Sequence, residues 1–255
     1  MRMRRSEFSS YLRCPKSYWY QYVQKTEYDS TPAMHLGTIV HQAIAAVHDA
    51  DLSTDEAQEV LAQLWEQSPE NIRTDAKTVK KYAAAQSAWI PWYVSAVAGQ
   101  ESVGVEAYLQ QPVNNNLQIN GTLDRVYLDD NGGCVIADAK TGRNKPRYLE
   151  NDLQLSVYAW LWQQNSGVLP SRVEIWHLPS QTVSSAIRTE ESLEAVISDV
   201  VEPIANAISL GLFPANSGHP FGCDFCSFRH LCTVGTGCIA EEPEEAAQDE
   251  PESER

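Results

Sequence analysis

The chain has 255 residues, of which 43% are hydrophobic, enough to form one sizeable core with an attached subdomain. Its formal net charge of −15 excludes a broad basic surface, so any contact with nucleic acid must lie in a local basic groove. Eight acidic residues and one basic residue fall in 241–255, and this aromatic-free tail is predicted to be disordered.

Membrane insertion and secretion are not expected from the sequence. No run of about 18 apolar residues is present, and no apolar segment follows the basic residues 1–5. Six cysteines in a chain of this kind favour metal binding over disulfides, so we expect a reducing cytoplasm as its location.

Helical periodicity dominates the first part of the chain. Residues 6–25 are predicted to be helical, with Ser6 as the N-cap and Pro15 starting a second piece. Further helices are predicted over 37–49, 53–67 and 74–97, which gives an all-helical region before the first strand.

From residue 103 the pattern changes to strands. A three-stranded antiparallel meander is predicted over 103–113, 117–129 and 134–139, because turn-forming Asn and Gly residues separate these apolar runs. The later elements are predicted as a helix at 150–164, strands at 172–178 and 183–188, and a helix at 190–210. This order indicates an α/β core with a central mixed sheet flanked by helices.

Four regions are expected along the chain. They are a helical N-terminal region (1–100), an α/β core (101–210), a Cys-rich segment (211–238) and the acidic tail (239–255).

Two carboxylates and a lysine form the most informative cluster. Asp124 lies on the second meander strand and Asp138 at the end of the third, so both could bind one divalent cation. Lys140 follows Asp138 by two residues and therefore projects from the same face. This combination suits phosphodiester hydrolysis with Mg²⁺ or Mn²⁺, although a strand-end salt bridge would also explain it.

Basic residues crowd the loop that follows Lys140. Arg143, Lys145 and Arg147 fall within five positions, the clearest candidate for phosphate contacts in this acidic chain. A solvated loop is the alternative explanation.

Three cysteines are closely spaced near the end of the chain, namely Cys223, Cys226 and Cys232. Cys14, Cys134 and Cys238 are candidates for a fourth ligand. Cys134 is expected to be a small core residue, and Cys238 to be free. Four thiolates can hold either a [4Fe–4S] cluster or zinc, for which His219 or His230 could substitute as ligands, and the spacing does not decide between the metals.

Six short motifs together resemble the RecB/AddB-type branch of the PD-(D/E)XK nucleases, which includes CRISPR-associated iron–sulfur exonucleases and related phage exonucleases. The resemblance spans residues 6 to about 232. In chain order, the motifs are Ser9–Lys16, Gly37–His41, Gly121–Arg125, Asp138–Gly142, Gln154–Tyr158 and the C-terminal cysteines. The fold implied is a restriction-endonuclease-like core with a C-terminal Fe–S subdomain.

The resemblance also implies roles for individual residues. The metal ligands implied are His41, Asp124, Asp138 and the Ala139 carbonyl, with Glu106 near the metal. Lys140 is implied to be catalytic. Without the resemblance, His41 would be read as a packed core histidine, the role expected of His35 and His48.

Two further features of the family are implied. Gln154 and Tyr158, four positions apart on one helix face, would lie beside the active site and either contact DNA or orient Lys140. An ordinary amphipathic helix is the alternative. Cys14 would complete a [4Fe–4S] cluster with the three C-terminal cysteines.

The function implied is metal-dependent exonuclease activity on single-stranded DNA or DNA ends, with 5′ to 3′ polarity favoured. Because no Walker A motif is present, any helicase would be a partner, as could a recombinase or CRISPR adaptation proteins. The alternatives are a non-catalytic Fe–S subunit that binds DNA ends, and a zinc-binding or redox regulator.

Overall fold

The computed structural model of the protein describes residues 1–28, 30–216, 218, 223–224 and 226–236. His219, Cys238 and the predicted disordered tail therefore lie outside the described residues. Within this part of the chain, no helix combines the length and apolar character needed to cross a membrane.

One mixed sheet forms the centre of the fold. Its strands are β1 (Arg2–Arg4), β2 (Ser102–Asn114), β3 (Leu117–Leu128), β4 (Cys134–Lys140), β5 (Arg172–His177) and β6 (Thr182–Ala186). The hydrogen-bonded order is β1-β3-β4-β5-β6, and β2 also pairs with β3. The β1–β3 and β4–β5 pairs are parallel, and the other pairs are antiparallel.

Helices cover both faces of this sheet. They are α1 (Arg5–Arg13), α2 (Pro15–Tyr18), α3 (Pro32–Ala50), α4 (Thr54–Glu66), α5 (Glu70–Arg73), α6 (Ala76–Ala84), α7 (Ile90–Val97), α8 (Leu153–Ser166), α9 (Glu190–Val196), α10 (Glu202–Ser209) and α11 (Thr233–Thr236). Single π-helical turns extend α2 through Val23, join α6 to α7 and join α9 to α10.

The predicted α/β fold and its three-stranded meander are confirmed. The first hairpin turns at Asn114, whose side-chain oxygen accepts hydrogen bonds from the backbone N–H groups of Asn116 and Leu117. The second turns at Asp129, which accepts from the N–H groups of Asn131 and Gly133. Both are side-chain-stabilised turns of the kind that Asn and Asp favour.

Three predictions about the N-terminal region are wrong. The region is not all-helical, because residues 2–4 form β1 beside β3. Ser6 is not the N-cap of the first helix, because α1 begins at Arg5 with Arg4 as its cap. The helix predicted from Gly37 begins at Pro32, where the Thr31 hydroxyl accepts a hydrogen bond from the Met34 N–H.

The break predicted at Pro15 is confirmed. Cys14 has extended backbone angles (φ −163°, ψ 108°), because the ring of a following proline disfavours the helical conformation. As a result, α1 ends at Arg13 and α2 begins at Pro15.

Two hydrophobic cores lie on opposite faces of the sheet. The first packs α1, α8, α9 and α10 against residues such as Ile119, Leu123 and Ile136. The second packs α3, α4 and α7 against residues such as Val135 and Trp176. The active-site candidates come from both sides, with His41 on α3 and with Gln154 and Tyr158 on α8.

Candidate active site

The candidate site lies at the middle of β3. β2 pairs with one edge of β3, while β1 and β4 share the other edge from opposite ends. β1 is in register with residues 118–120, and β4 with residues 125–128. The stretch 121–124, which ends at Asp124, therefore lies between the ends of two strands.

Three side chains meet at this point. One possible ligand atom from each of His41 on α3, Glu106 on β2 and Asp124 on β3 lies within 4.8 Å of the others. The His41 Nδ1 atom is 3.3 Å from the Asp124 Oδ2 atom. The same oxygen accepts a 2.9 Å hydrogen bond from the Ala139 N–H, which fixes the carboxylate against the end of β4.

β2 is irregular where it passes Asp124. Glu106 has a φ of +45°, in the left-handed region that a residue with a side chain seldom adopts. Its neighbours Val105 and Ala107 pair with Arg125 and Leu123, the two residues that flank Asp124. Local strain of this kind concentrates at functional sites, where it aims a side chain.

Burial of the next residue, Arg125, holds this irregular segment in place. Its side chain is 2% exposed and donates hydrogen bonds to Ser102 Oγ (2.8 Å) and Gln100 Oε1 (3.0 Å). Its guanidinium carbon also lies 4.5 Å from the centre of the Tyr127 ring. These contacts hold the part of β3 that contains Asp124 in position.

A second group forms a hydrogen-bonded chain behind Asp124. The Lys140 ammonium lies 2.6 Å from Asp138 Oδ2 and donates a 2.7 Å hydrogen bond to Gln154 Oε1. The Gln154 amide donates to Asp138 Oδ1 and, at 3.1 Å, to the Tyr158 hydroxyl. The same-face placement of Asp138 with Lys140 and of Gln154 with Tyr158 is therefore confirmed.

Burial changes the acidity of both aspartates. It raises the pKa of Asp138 to about 6, helped by the negative charge of Asp124 and opposed by Lys140. Burial also raises the pKa of Asp124, and the nearby His41 opposes the increase. Both carboxylates therefore gain from a neighbouring cation, which would offset the cost of keeping them charged.

The donor set fits a hard divalent cation. One imidazole nitrogen and carboxylate oxygens are ligands that suit Mn²⁺, and the oxygens suit Mg²⁺. The three side chains line a cleft of about 1030 Å³, together with Arg5, Thr122 and Thr141. The metal could therefore be reached from solvent by a polymer substrate.

Two glycines let helices approach the site closely. A Cβ atom on Gly121 would lie 3.0 Å from the Tyr158 ring and 3.2 Å from Leu161, so this glycine allows α8 to pack against β3. A Cβ atom on Gly37 would lie 3.1 Å from Thr141 Oγ1, where α3 meets the loop after β4. Both glycines belong to motifs identified in the sequence.

The predicted basic loop lies on the surface. Arg143, Lys145 and Arg147 are exposed, and none of them forms an ion pair with a described residue. Only the start of the loop, Thr141 and Gly142, lines the cleft. There the Gly142 carbonyl is within hydrogen-bonding distance, 2.8 Å, of the buried His177 Nε2.

Comparison with known proteins identifies the family. Residues 5–233 match the model of the PD-(D/E)XK nuclease superfamily. The chain belongs to this superfamily. The match contains all the side chains of the cleft and of the Lys140 chain described above.

The solved structures found to be similar to this chain share little sequence with it. The protein SSO0001 is 16% identical, with a TM-score of 0.42, over 92% of this chain and 86% of its own. A candidate exonuclease from Eubacterium rectale is 14% identical, with a TM-score of 0.45, over 90% of this chain and 88% of its own. No curated protein matches the chain.

The fold also brings four cysteines together around one cavity. Cys14, Cys223, Cys226 and Cys232 line a cavity of about 360 Å³ between the first helices and the C-terminal segment. The Cys14 Sγ atom accepts a hydrogen bond from the Asn216 N–H (3.3 Å), and the Cys226 Sγ atom is 3.9 Å from Ser17 Oγ.

The remaining cysteine and histidine predictions can be placed as well. Cys134 is partly buried and packs against the first core, as expected. His230 is exposed and is not part of the cysteine cavity. His35 and His48 lie outside the cleft, in hydrogen-bonding contact with Ser68 and Tyr93.

Sequence reasoning missed Arg5 as a residue of the cleft. Arg5 is the first residue of α1 and lines the cleft together with Thr122 and Thr141. The available signal was the alternation of Arg2, Met3 and Arg4, a period-two pattern that favours a short strand. Such a strand places the following arginine beside the middle of β3.

Proposed function

We propose that this chain is a divalent-metal-dependent deoxyribonuclease of the RecB/AddB-type branch, which hydrolyses phosphodiester bonds in the cleft beside Asp124. The observation that carries this proposal is the contact between Lys140, Asp138 and Gln154, directly behind the group His41, Glu106 and Asp124. A salt bridge at a strand end would not require these additional ligand-type side chains.

His41, Asp124 and Asp138, with Glu106 and the Ala139 carbonyl, would hold Mg²⁺ or Mn²⁺. The cation, when bound, polarises the phosphate and lowers the pKa of water.

The chain's own residues supply position and charge. Asp138 and Gln154 hold the Lys140 ammonium from two sides, so its free N–H group can orient the attacking water or stabilise negative charge on the phosphate. Tyr158 holds the Gln154 amide in this orientation. The exposed cations Arg143, Lys145 and Arg147 extend from the end of β4 and are proposed to contact phosphates outside the cleft.

The four cysteines are proposed to hold a [4Fe–4S] cluster. The four cysteines line one cavity, and four thiolates are the usual ligand set of such a cluster. Zinc could bind the same set, and the resemblance to iron–sulfur exonucleases favours the cluster.

The substrate proposed is single-stranded DNA or DNA ends, cleaved from the 5′ end. Digestion of 5′-labelled and 3′-labelled DNA, single-stranded and duplex, with Mg²⁺, Mn²⁺ or EDTA tests this. We expect metal-dependent shortening, with short labelled products released first from the 5′-labelled strand. Binding of DNA ends without cleavage in either metal would instead support a non-catalytic end-binding subunit.

A further inference from the structure

A second cavity adjoins the cleft. It has a volume of about 890 Å³ and shares Arg5 and Thr122 with the cleft that contains Asp124. We call it the arginine groove, lined by Arg2, Arg4, Arg5, Lys25, Tyr22 and Tyr108 among others. A polymer that passes the metal site could therefore continue along the groove without leaving the surface.

The groove is positively charged in a protein of net charge −15. Four cations line it, namely Arg2, Arg4, Arg5 and Lys25, against one carboxylate, Glu7. Among the described residues, none of the four cations forms an ion pair. Glu7 instead accepts hydrogen bonds from the Arg4 backbone N–H (3.1 Å) and the Tyr18 hydroxyl (3.2 Å).

The fold holds these cations in place. Met3 is 1% exposed in the first core, and β1 pairs with residues 118–120, so alternation along the strand directs Arg2 and Arg4 away from the core. Cations that are gathered without counter-charges repel one another, so their placement points to an anionic ligand.

Arg5 lies at the junction of the two cavities. Its Nε atom is buried and has no hydrogen-bond partner among the described residues, a state that costs free energy unless a ligand supplies an acceptor. Its guanidinium carbon lies 5.9 Å from the centre of the Tyr158 ring. Tyr158 in turn accepts a hydrogen bond from Gln154, which accepts one from Lys140, so a chain of contacts connects Arg5 to Lys140.

We propose that the arginine groove binds the single strand that flanks the scissile bond. Arg5 contacts the phosphate next to that bond, and Arg2, Arg4 and Lys25 follow the next phosphates. Tyr108, which is 56% exposed, provides a ring on which an unpaired base can stack. Stacking of this kind requires a strand whose bases are not paired, and the proposal rests on the proposed nuclease function.

The test is the salt dependence of binding to fluorescein-labelled oligodeoxythymidine in EDTA, using the full-length protein. The double variant Arg2→Gln/Arg4→Gln should flatten the slope of log affinity against log salt by about 1.4, since each single-strand phosphate contact contributes about 0.7. Arg5→Gln should flatten it by about 0.7, and Arg5→Lys should restore the slope. The control Lys77→Gln/Lys80→Gln removes exposed cations that line neither cavity and should leave the slope unchanged.

The outcomes separate this inference from the nuclease proposal. The groove proposal alone would be overturned if the slope were unchanged in both the double variant and Arg5→Gln while the wild-type protein still cleaved DNA. Equal losses for duplex and single-stranded DNA would overturn the single-strand assignment. A wild-type protein that neither binds nor cleaves DNA would overturn both. If Arg5→Gln melts early, the double variant, whose side chains are exposed, decides the result.

Discussion

Lys140 is the residue whose contacts are most specific to catalysis. Its ammonium contacts both Asp138 and Gln154, and it is not one of the three ligand-type side chains that meet in the cleft. We expect Lys140→Ala to cleave DNA about 10²–10⁴-fold more slowly while it still binds Mn²⁺, because general acid–base and electrostatic groups contribute this much. Single-turnover cleavage and calorimetric Mn²⁺ binding measure the two effects separately.

The matched control for Lys140→Ala is Lys80→Ala, which removes an exposed lysine outside the cleft. Equal cleavage rates for the two variants would show that the Lys140 ammonium has no part in the reaction. Loss of Mn²⁺ binding in Lys140→Ala would show instead that the lysine supports the metal site.

His48 makes folding stability depend on pH. Burial, helped by the positive charge of Arg125, lowers its pKa from 6.5 to about 4, so the folded state resists protonation. Between these values the unfolded state binds the proton more readily, and the free energy of unfolding therefore falls as the pH drops from 6.5 towards 4. The shift in pKa corresponds to a loss of about 3 kcal/mol in the free energy of unfolding. Because the ring is partly exposed, solvent screening reduces this loss to about half.

Urea unfolding at pH 7 and pH 5 tests this expectation. The loss of stability between the two should be smaller in His48→Gln than in the wild type. The control His230→Gln removes an exposed histidine and should behave as the wild type does. Identical losses in His48→Gln and wild type would contradict the assignment of His48 as a group that is neutral in the folded state.

Several residue contacts could be predicted from sequence spacing, and others could not. The two-residue interval of Asp138 and Lys140 and the four-residue interval of Gln154 and Tyr158 fix shared faces through backbone geometry alone. The approach of Glu106 to His41 depends on a positive φ and on the packing of α3, which no interval encodes.

At the level of secondary-structure elements, Gly121 sets the distance between α8 and β3. A methyl group there would press on the Tyr158 ring and on Leu161, both of which belong to the first core. We expect Gly121→Ala to lower the free energy of unfolding by about 1–3 kcal/mol, the usual cost of overpacking, and to slow cleavage because Tyr158 and Gln154 shift together.

Gly142→Ala is the control for the stability effect. A Cβ atom at Gly142 has no neighbour within 4 Å, so its free energy of unfolding should stay close to that of the wild type. Denaturant titration of both variants gives the comparison. If Gly121→Ala is as stable and as active as the wild type, the close approach of α8 is not needed for the site.

Element boundaries show where sequence patterns are informative. The meander was predictable because apolar runs alternate with Asn and Gly turns, and Ser53 and Asp152 cap their helices as such residues usually do. β1 has only three residues and is stabilised by pairing with residues 118–120, more than 100 positions away. Local propensity carries no information about such a distant partner.

At the level of the whole molecule, contacts join the two ends of the described chain. The Tyr11 hydroxyl donates to the Leu212 carbonyl (2.6 Å), the Lys16 N–H to the Pro214 carbonyl (3.1 Å), and the Tyr20 hydroxyl to the Leu231 carbonyl (2.7 Å). The cysteine cavity lies among these contacts. A bound cluster would close a loop of more than 200 residues between Cys14 and Cys223, so its role would be structural.

We expect anaerobically purified protein to be brown and to contain iron. Cys226→Ser should lose the broad visible absorbance and melt at a lower temperature, because a metal that binds only the folded state adds its binding free energy to stability. Iron analysis and thermal melting measure this, with Cys238→Ala as the control that keeps both properties. Colourless protein with stoichiometric zinc would contradict the cluster.

The central claim is that DNA is hydrolysed in the cleft beside Asp124, with the help of Asp138 and Lys140 behind it. Its most direct test is single-turnover cleavage of end-labelled single-stranded DNA in Mn²⁺ by wild type and Asp138→Asn at matched purity. The substitution keeps the shape of the side chain, and melting curves check the fold. We expect at least about a 10²-fold loss of rate, since Asp138 acts as a unit with Lys140. Cleavage by Asp138→Asn at the wild-type rate would contradict the assigned active site.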